Sequence, residues 1–160
     1  MSNRKIGVAM DFSAGSKNAL NWALENILRK DDTLFIIHIH QSEANESRNQ
    51  LWSSTGSPLI PLDEIRDSQI MHNYGLNFDH EVLEVLEKSS KQTDIKVILK
   101  IYWGDAREKL CDAVTEFDLN CLVMGSRGLG QIQRILLGSV TNHVTTNANC
   151  PVLIVKEPIK

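Results

Sequence analysis

The sequence predicts an α/β fold in which an open parallel sheet of five strands is covered by helices on both faces. Five apolar, β-rich runs alternate along the chain with segments of helical period. Parallel strands need crossover connections, which the helical segments supply. The apolar runs are continuous rather than alternating, as in strands that are buried on both sides. With 160 residues, 42% of them apolar, the chain is expected to form one domain over residues 1–160.

The first part of the chain contains two strand-like runs separated by a helix. Residues 5–10 (KIGVAM) and 34–40 (LFIIHIH) are the predicted strands. Between them, apolar residues recur at the spacing of one helix face, namely Leu20, Ala23, Leu24, Ile27 and Leu28. The sequence therefore predicts strand, helix and strand up to residue 40.

A polar, irregular segment follows over residues 41–75. It is rich in serine, contains Pro58 and Pro61, and is too long for a simple connection. We interpret it as a surface excursion, partly ordered by Trp52 and Leu62.

The second part of the chain contains three more helices and three more strands. The predicted strands are residues 95–102, 120–124 and 152–155. Asp105 is expected to cap the middle helix, and the last helix is expected to begin near Ser139 and to end before Pro151. The inward residues of these helices are Phe78, Val82, Val85 and Leu86, then Leu110, Ala113, Val114 and Phe117, and finally Val140, Val144 and Ala148.

Composition argues against several classes of function. The formal charge is 17 − 20 = −3 and the basic residues are scattered, so we expect no nucleic-acid partner. No apolar stretch approaches the roughly 20 residues that span a bilayer, and the amino terminus lacks the pattern of a secretory signal. Cys111, Cys121 and Cys150 are odd in number and lie in apolar surroundings, which fits reduced thiols and a cytoplasmic location.

A glycine-rich motif follows the fourth predicted strand. It reads Gly125-x-x-Gly128, then nine residues, then Gly138-Ser139. The sequence here closely resembles the ATP-binding branch of the universal stress protein family, and in particular its plant-like, single-domain members. The resemblance extends to residues 8–13 (VAMDFS), to His38-Ile39 and to the final Pro-Val-Leu-Ile-Val, and so covers nearly the whole chain.

Physical reasoning locates the same site. Gly125 leaves the strand where a side chain would block a ligand, and Gly128 permits a turn or a close backbone approach. Gly138-Ser139 opens a helix whose first N–H groups and dipole favour an anion, so phosphates can bind there. The Ser139 and Thr141 hydroxyls can add hydrogen bonds, and Arg127 can supply positive charge. The alternative is that the glycines only shape a turn and Ser139 only caps a helix.

Asp11 is the candidate polar group at the end of the first strand. The resemblance implies a strand order of 3-2-1-4-5, that of a Rossmann-like fold of the adenine nucleotide alpha-hydrolase type. Ligands of such sheets bind where the strand order reverses, so Asp11 and Gly125 are expected to face one crevice. The Asp11 carboxylate would hold a ribose hydroxyl or Mg²⁺ beside the phosphates, or alternatively would cap the helix that starts near Ser13.

The remaining site residues follow from the resemblance. Ile39 would offer its backbone to adenine, and the residues expected to line the pocket are Ala9, Met10, Met124 and, with the helix start, Val140. The alternative is that Ile39, Ala9, Met10 and Met124 are plain core residues. His38 and His40 point to one side of a strand, but the sequence places no third ligand for a zinc ion beside them.

Three functions are compatible with these features. The first is an adenine-nucleotide-binding stress or signalling protein that uses ATP, ADP or AMP with Mg²⁺. The second is an ATP hydrolase or nucleotidyl transferase, but the glycine loop has no lysine and no base stands beside a nucleophile. The third is a dimeric interaction module with an empty pocket, as in the non-binding branch of the family.

The last strand predicts a homodimer. Residues 152–155 (VLIV) are apolar on both faces and come last in the assumed order, so they form an edge that needs a partner. Pairing with a second copy about a twofold axis would cover that edge. The alternative is that residues 41–75 fold over it and leave a monomer.

Overall fold

A computed structural model of the protein describes residues 3–40, 52, 54–126 and 138–157. The first crossover runs from strand β1 (Lys5–Ala9) through helix α1 (Ala14–Asn26) to strand β2 (Thr33–His40). The segment after residue 40 contributes strand β3 (Ile60–Pro61) and the short helices α2 (Leu62–Ile65) and α3 (Ser68–Asn73).

Three further helices alternate with three strands in the rest of the chain. Helix α4 (His80–Thr93) leads to β4 (Lys96–Trp103), and α5 (Ala106–Phe117) leads to β5 (Cys121–Gly125). Helix α6 (Ser139–Asn147) then leads to β6 (Val152–Val155). Asp105 is the N-cap of α5, as predicted, and its carboxylate accepts a hydrogen bond from the backbone N–H of Arg107.

The sheet has six strands in the order β3-β4-β2-β1-β5-β6. Its five long strands are parallel and follow the predicted order, since β4, β2, β1, β5 and β6 are the third, second, first, fourth and fifth predicted strands. The expected count of five was wrong by one strand. The additional strand, β3, pairs antiparallel with β4 through Ile60 and Leu99.

Helices cover both faces of the sheet, and each face has its own apolar core. One core contains buried residues of α1 and α4, such as Leu20 and Leu86, packed on Val8 and Leu99. The other contains buried residues of α5 and α6, such as Leu110 and Val144, packed on the opposite side of the strands. The helical spacings in the sequence therefore identified the inward faces correctly. Among the described residues, no helix is long and apolar enough to cross a membrane.

Residues 54–76 belong more closely to the core than a surface excursion would. Ile60, Ile65 and Met71 are fully buried, whereas Trp52 and Leu62 pack only at the margin of the core. Residues 41–51 and 53 lie outside the described part of the chain.

Polar contacts fix this segment to β4. The backbone N–H of Ser57 donates to Ile101 O at 2.7 Å, and the Ser57 hydroxyl accepts from Ile101 N at 2.9 Å. The buried Lys100 ammonium donates to Ser57 O at 2.6 Å. Gly56 has φ 78°, and an added Cβ would lie 2.9 Å from Ile101 O, so only glycine fits there without displacement. The segment therefore covers the β4 edge of the sheet and not the β6 edge.

Candidate functional site

A cavity of about 610 Å³ opens at the carboxyl ends of the parallel strands. It lies beside β1, where the strand order reverses. The chain adds β2 and β4 on one side of β1 and then β5 and β6 on the other side. This is the topological switch point at which open α/β sheets bind ligands. The lining residues are Ala9, Met10, Asp11, Ser16, Ile37, His38, Ile39, His40, Ala106, Leu110, Met124, Gly125, Gly138, Ser139, Val140 and Thr141.

Asp11 lies where the chain leaves β1. Met10 still donates to Ile37 O at 2.8 Å, whereas Phe12 adopts φ 63° and turns the chain toward α1. Asp11 Oδ1 accepts the backbone N–H of Ser13 at 3.0 Å and also the Ser13 hydroxyl. Ser13, and not Asp11, is the N-cap of α1. The alternative in which Asp11 caps the helix is therefore wrong, although its carboxylate holds the capping residue. Asp11 also lines the cavity, and its contact with a ligand stays a prediction.

Gly125 ends β5 in the cavity wall. The sequence suggested that a side chain there would block a ligand, but in the structure it would meet another part of the protein. An added Cβ would lie 2.8 Å from Gly15 O and 2.9 Å from Gly15 C. The first turn of α1 thus approaches β5 backbone to backbone. The glycine is required by this contact between α1 and β5, before any ligand is considered.

Helix α6 begins at the rim of the cavity. Gly138 is its N-cap, is buried and has the extended angles φ −66° and ψ 159°. Its N–H donates to Ser126 O at 2.9 Å, which brings together the two ends of the glycine loop. Ser139 is exposed at the first helical position. Arg127 and Gly128 lie in residues 127–137, outside the described part of the chain.

Thr141 is buried, and its hydroxyl donates to Gly125 O at 3.1 Å. A threonine hydroxyl has a single hydrogen to donate. In this structure Thr141 therefore ties α6 to the end of β5, and its predicted contact with a phosphate stays a prediction.

Apolar residues also line the cavity. Ala9 ends β1 and Met10 follows it, Met124 comes from β5, Ile39 from β2 and Val140 from α6, so every predicted adenine-side residue lines the same space. Residues that the sequence did not assign to the site are Ser16, Ile37, His38, His40, Ala106 and Leu110. Ala106 follows the Asp105 cap, just after β4 ends. Ligands bind beyond the carboxyl ends of the strands, and the argument that placed Asp11 after β1 would also have predicted Ala106.

His38 is almost fully buried in the cavity lining. Its Nδ1 lies 2.8 Å from Met10 O, and its ring contacts those of Phe12 and His40 at centroid distances of 5.1 Å. Burial lowers the pKa of His38, whereas the Met10 carbonyl and the Asp11 charge act in the opposite direction. The neutral imidazole donates to Met10 O and so ties β2 to β1. Among the residues that the structure describes, no group of histidine, cysteine and acidic side chains could hold a metal ion.

Comparison with known proteins gives one consistent family. Residues 2–156 match the universal stress protein family. The chain is 28% identical to universal stress protein PHOS32 of Arabidopsis thaliana and 29% identical to PHOS34 of the same plant, over 98% of this chain in both cases. It spans 66% and 63% of the length of these two relatives.

Solved structures with the same fold include two nucleotide complexes. A universal stress protein family protein from Arabidopsis thaliana, with AMP bound, has 25% identity and a TM-score of 0.59, with 97% of this chain and 92% of that chain covered. A universal stress protein in complex with cAMP has 22% identity and a TM-score of 0.57, with 95% of both chains covered. The sheet order, the glycine motif and the match over almost the full length agree, and the chain belongs to the universal stress protein family.

Proposed function

We propose that the cavity binds an adenine nucleotide, ATP or its products ADP and AMP, and that the protein acts as a nucleotide-dependent stress-response or signalling module. The observation that carries the proposal is the position of the cavity. It lies at the switch point of the sheet, has apolar residues in its lining, and has the amino terminus of α6 at its rim.

Different residues of the cavity suit different parts of a nucleotide. Ile39 would offer backbone groups to the base, against the apolar residues Ala9, Met10, Met124 and Val140. The phosphates would lie at Gly138 and Ser139, where helix N–H groups lack intrahelical partners. Arg127 and Gly128 of the loop would complete the phosphate site.

Asp11 would contact the ribose or help hold Mg²⁺ beside the phosphates. One carboxylate together with phosphate oxygens is a common Mg²⁺ environment, and Asp11 lines the cavity, so the residues fit such an ion. Bound Mg²⁺ would neutralise phosphate charge. Asp11 Oδ1 is held by the Ser13 N–H and hydroxyl, which orients the carboxylate before any ligand arrives.

The related Arabidopsis protein with AMP bound supports the ligand class, since its structure superimposes over nearly all of this chain. Turnover is proposed to be slow at most. The loop over residues 125–139 contains no lysine, and phosphoryl transfer depends on strong charge neutralisation and a positioned nucleophile. We place the protein in the cytoplasm and propose that it forms a homodimer through β6.

Binding is tested directly by denaturing the purified protein and identifying the released nucleotide by chromatography, and then by calorimetry of the nucleotide-free protein. We expect ATP with Mg²⁺ to bind at micromolar order. It should also raise the free energy of unfolding by about 2.7 kcal/mol at a hundredfold excess over Kd. No heat and no melting shift with ATP, ADP or AMP would refute the proposal.

The same preparation separates a binding module from an enzyme. Phosphate release is expected to stay below roughly one event per minute, well under the median kcat of about 10 s⁻¹. Faster release that disappears in Asp11→Asn would identify an ATP hydrolase.

A further inference from the structure

Two methionines border the cavity on the two strands that flank the switch point. Met10 follows β1 and Met124 lies in β5, and both line the cavity. Ser16 also lines it, and its Oγ lies 3.4 Å from Met10 Sδ. The Met10 thioether is therefore next to a hydroxyl of the cavity wall.

The third described methionine provides a comparison within the same molecule. Met10 and Met124 are 2% and 4% exposed, and Met71 is 1% exposed, so all three side chains are buried. Met71 lies in α3 and is absent from the cavity lining. All three methionines belong to the apolar cores, but Met10 and Met124 also border the cavity, so we expect a small solute that enters it to reach them ahead of Met71.

We infer that Met10 and Met124 are oxidation sites through which a peroxide controls occupancy of the cavity. The sulfur attacks one peroxide oxygen and forms the S=O bond while the O–O bond breaks, and the other oxygen leaves as water. The sulfur is oxidised by two electrons and the peroxide is reduced by two. Methionine sulfoxide reductases reverse the step, so the modification is a reversible one.

The modification changes the wall where the base is proposed to lie. A sulfoxide is polar and chiral, and it replaces a flexible apolar side chain. The base would then meet a polar oxygen in place of an apolar thioether, and covering that oxygen with the base removes it from water, which is unfavourable. This effect on affinity rests on the proposed nucleotide function. Preferential oxidation of the two cavity methionines does not.

The first experiment maps oxidation. The folded, nucleotide-free protein is treated with dilute hydrogen peroxide, and the sulfoxide at each methionine is followed by peptide mass spectrometry. We expect Met10 and Met124 to oxidise ahead of Met71, all three to react alike in denaturant, and ATP with Mg²⁺ to slow Met10 and Met124 selectively. Equal rates at the three positions in the folded protein, or earlier reaction of Met71, would overturn the inference.

The second experiment measures affinity before and after peroxide. We expect the Kd for ATP to rise by about tenfold or more, about 1.4 kcal/mol, and to return after treatment with sulfoxide reductase. In the Met10→Leu and Met124→Leu double variant, the Kd for ATP after peroxide divided by the Kd before peroxide should stay near one. The Met71→Leu variant should show the same ratio as the wild-type protein. An unchanged Kd in protein that carries both sulfoxides would contradict the inference. If ATP does not bind before peroxide treatment, the nucleotide proposal is refuted instead. The relative oxidation rates of the three methionines would still test whether Met10 and Met124 are oxidised preferentially.

Discussion

At the residue scale, several side chains of the site serve the fold and the cavity together. Asp11 holds the N-cap of α1, Thr141 joins α6 to β5, and His38 joins β2 to β1. Each of these bonds links an element that forms the wall to its neighbour. Substitutions here therefore need to be tested for stability and for binding separately.

Gly138→Val is expected to abolish nucleotide binding while the fold survives. The backbone at Gly138 has φ −66°, which any residue adopts, but the position is buried at the cavity rim, so a branched side chain would occupy the space proposed for the phosphates. Calorimetry with ATP should show at least about a tenfold weaker Kd, about 1.4 kcal/mol. Thr146→Val, on the exposed side of α6, is the matched control and should bind normally. Retained affinity in folded Gly138→Val would mean that the phosphates lie elsewhere.

Gly125→Ala is expected to lower the free energy of unfolding by about 1–3 kcal/mol because the new Cβ would meet backbone atoms of Gly15 that cannot move freely. Gly7→Ala in β1 is the comparison. Its Cβ would meet the terminal methyl of Leu119 at 2.7 Å, which a rotation of that side chain can relieve. Urea denaturation of the two variants should give the larger loss for Gly125→Ala, and the reverse order would contradict this account of the α1 contact.

His38 should make stability depend on pH. Burial holds its folded pKa below the unfolded value of about 6.5, so the unfolded chain takes up the proton first as pH falls. The contribution of His38 is complete above pH 6.5 and is lost as the pH falls toward the folded pKa, with a slope of at most about 1.4 kcal/mol per pH unit. His38→Asn retains an N–H for Met10 O without a titrating group. Denaturant titrations at pH 7.5 and below 6.5 should show a smaller loss in the variant, and parallel losses would exclude His38 as the cause.

At the element scale, the polar segment after β2 completes the sheet. Ser57 pairs with Ile101 through its backbone and its hydroxyl, and β3 continues the pairing at Ile60. The outer edge of β4 is thus paired with the protein's own chain at Ile98, Leu99 and Ile101.

Ser57→Ala should lower the free energy of unfolding by about 1–3 kcal/mol. The change removes the acceptor for Ile101 N at a position where Ser57 is 1% exposed and water has little access. Ser54→Ala is the matched control, because Ser54 is exposed, and its effect should stay within about 0.5 kcal/mol. Thermal or urea unfolding of the pair distinguishes them, and equal stabilities would show that the edge contact contributes little.

These elements also show what the sequence could and could not predict. The period of 3.6 identified the buried faces of α1, α4 and α5, and the strand ends placed Asp11 and Gly125 in one cavity. Strand β3 has two residues, one of them Pro61, so it carries no alternating pattern to detect. The contact between Gly125 and Gly15 joins distant parts of the chain, and local spacing does not encode it.

At the scale of the whole molecule, the two edges of the sheet differ. Leu122 N donates to Pro151 O, which fixes the hydrogen-bonding pattern between β5 and β6. In this parallel ladder the backbone groups of residues 151, 153 and 155 point toward β5, and those of Val152 and Ile154 point away from it. Among the described residues, no strand pairs with β6 on that side. The alternative in which residues 41–75 cover β6 is not supported, because the described part of that segment lies on β4.

We therefore predict a homodimer that is built on β6. Light scattering should give about twice the chain mass of 18.0 kDa. Ile154→Pro removes an outward N–H and leaves the bonds to β5 in place, so it should halve the mass or cause aggregation, while Ile154→Val, which keeps the N–H, should remain dimeric. A monomer at tens of micromolar, or a dimer that persists in folded Ile154→Pro, would place the contact elsewhere.

The difference between the two edges would also limit how many molecules the predicted assembly can contain. On one side, β3 ends the sheet with two residues and a proline, which is a poor template for a further strand. On the other side, β6 presents outward backbone groups to one incoming strand. Within the described part of the chain each molecule would therefore offer one strand, β6, for pairing. A dimer formed through β6 would leave neither molecule with a second such strand. A higher protein concentration would raise the fraction of dimer without forming a polymer, because the dimer would present no open strand with which a third molecule could pair.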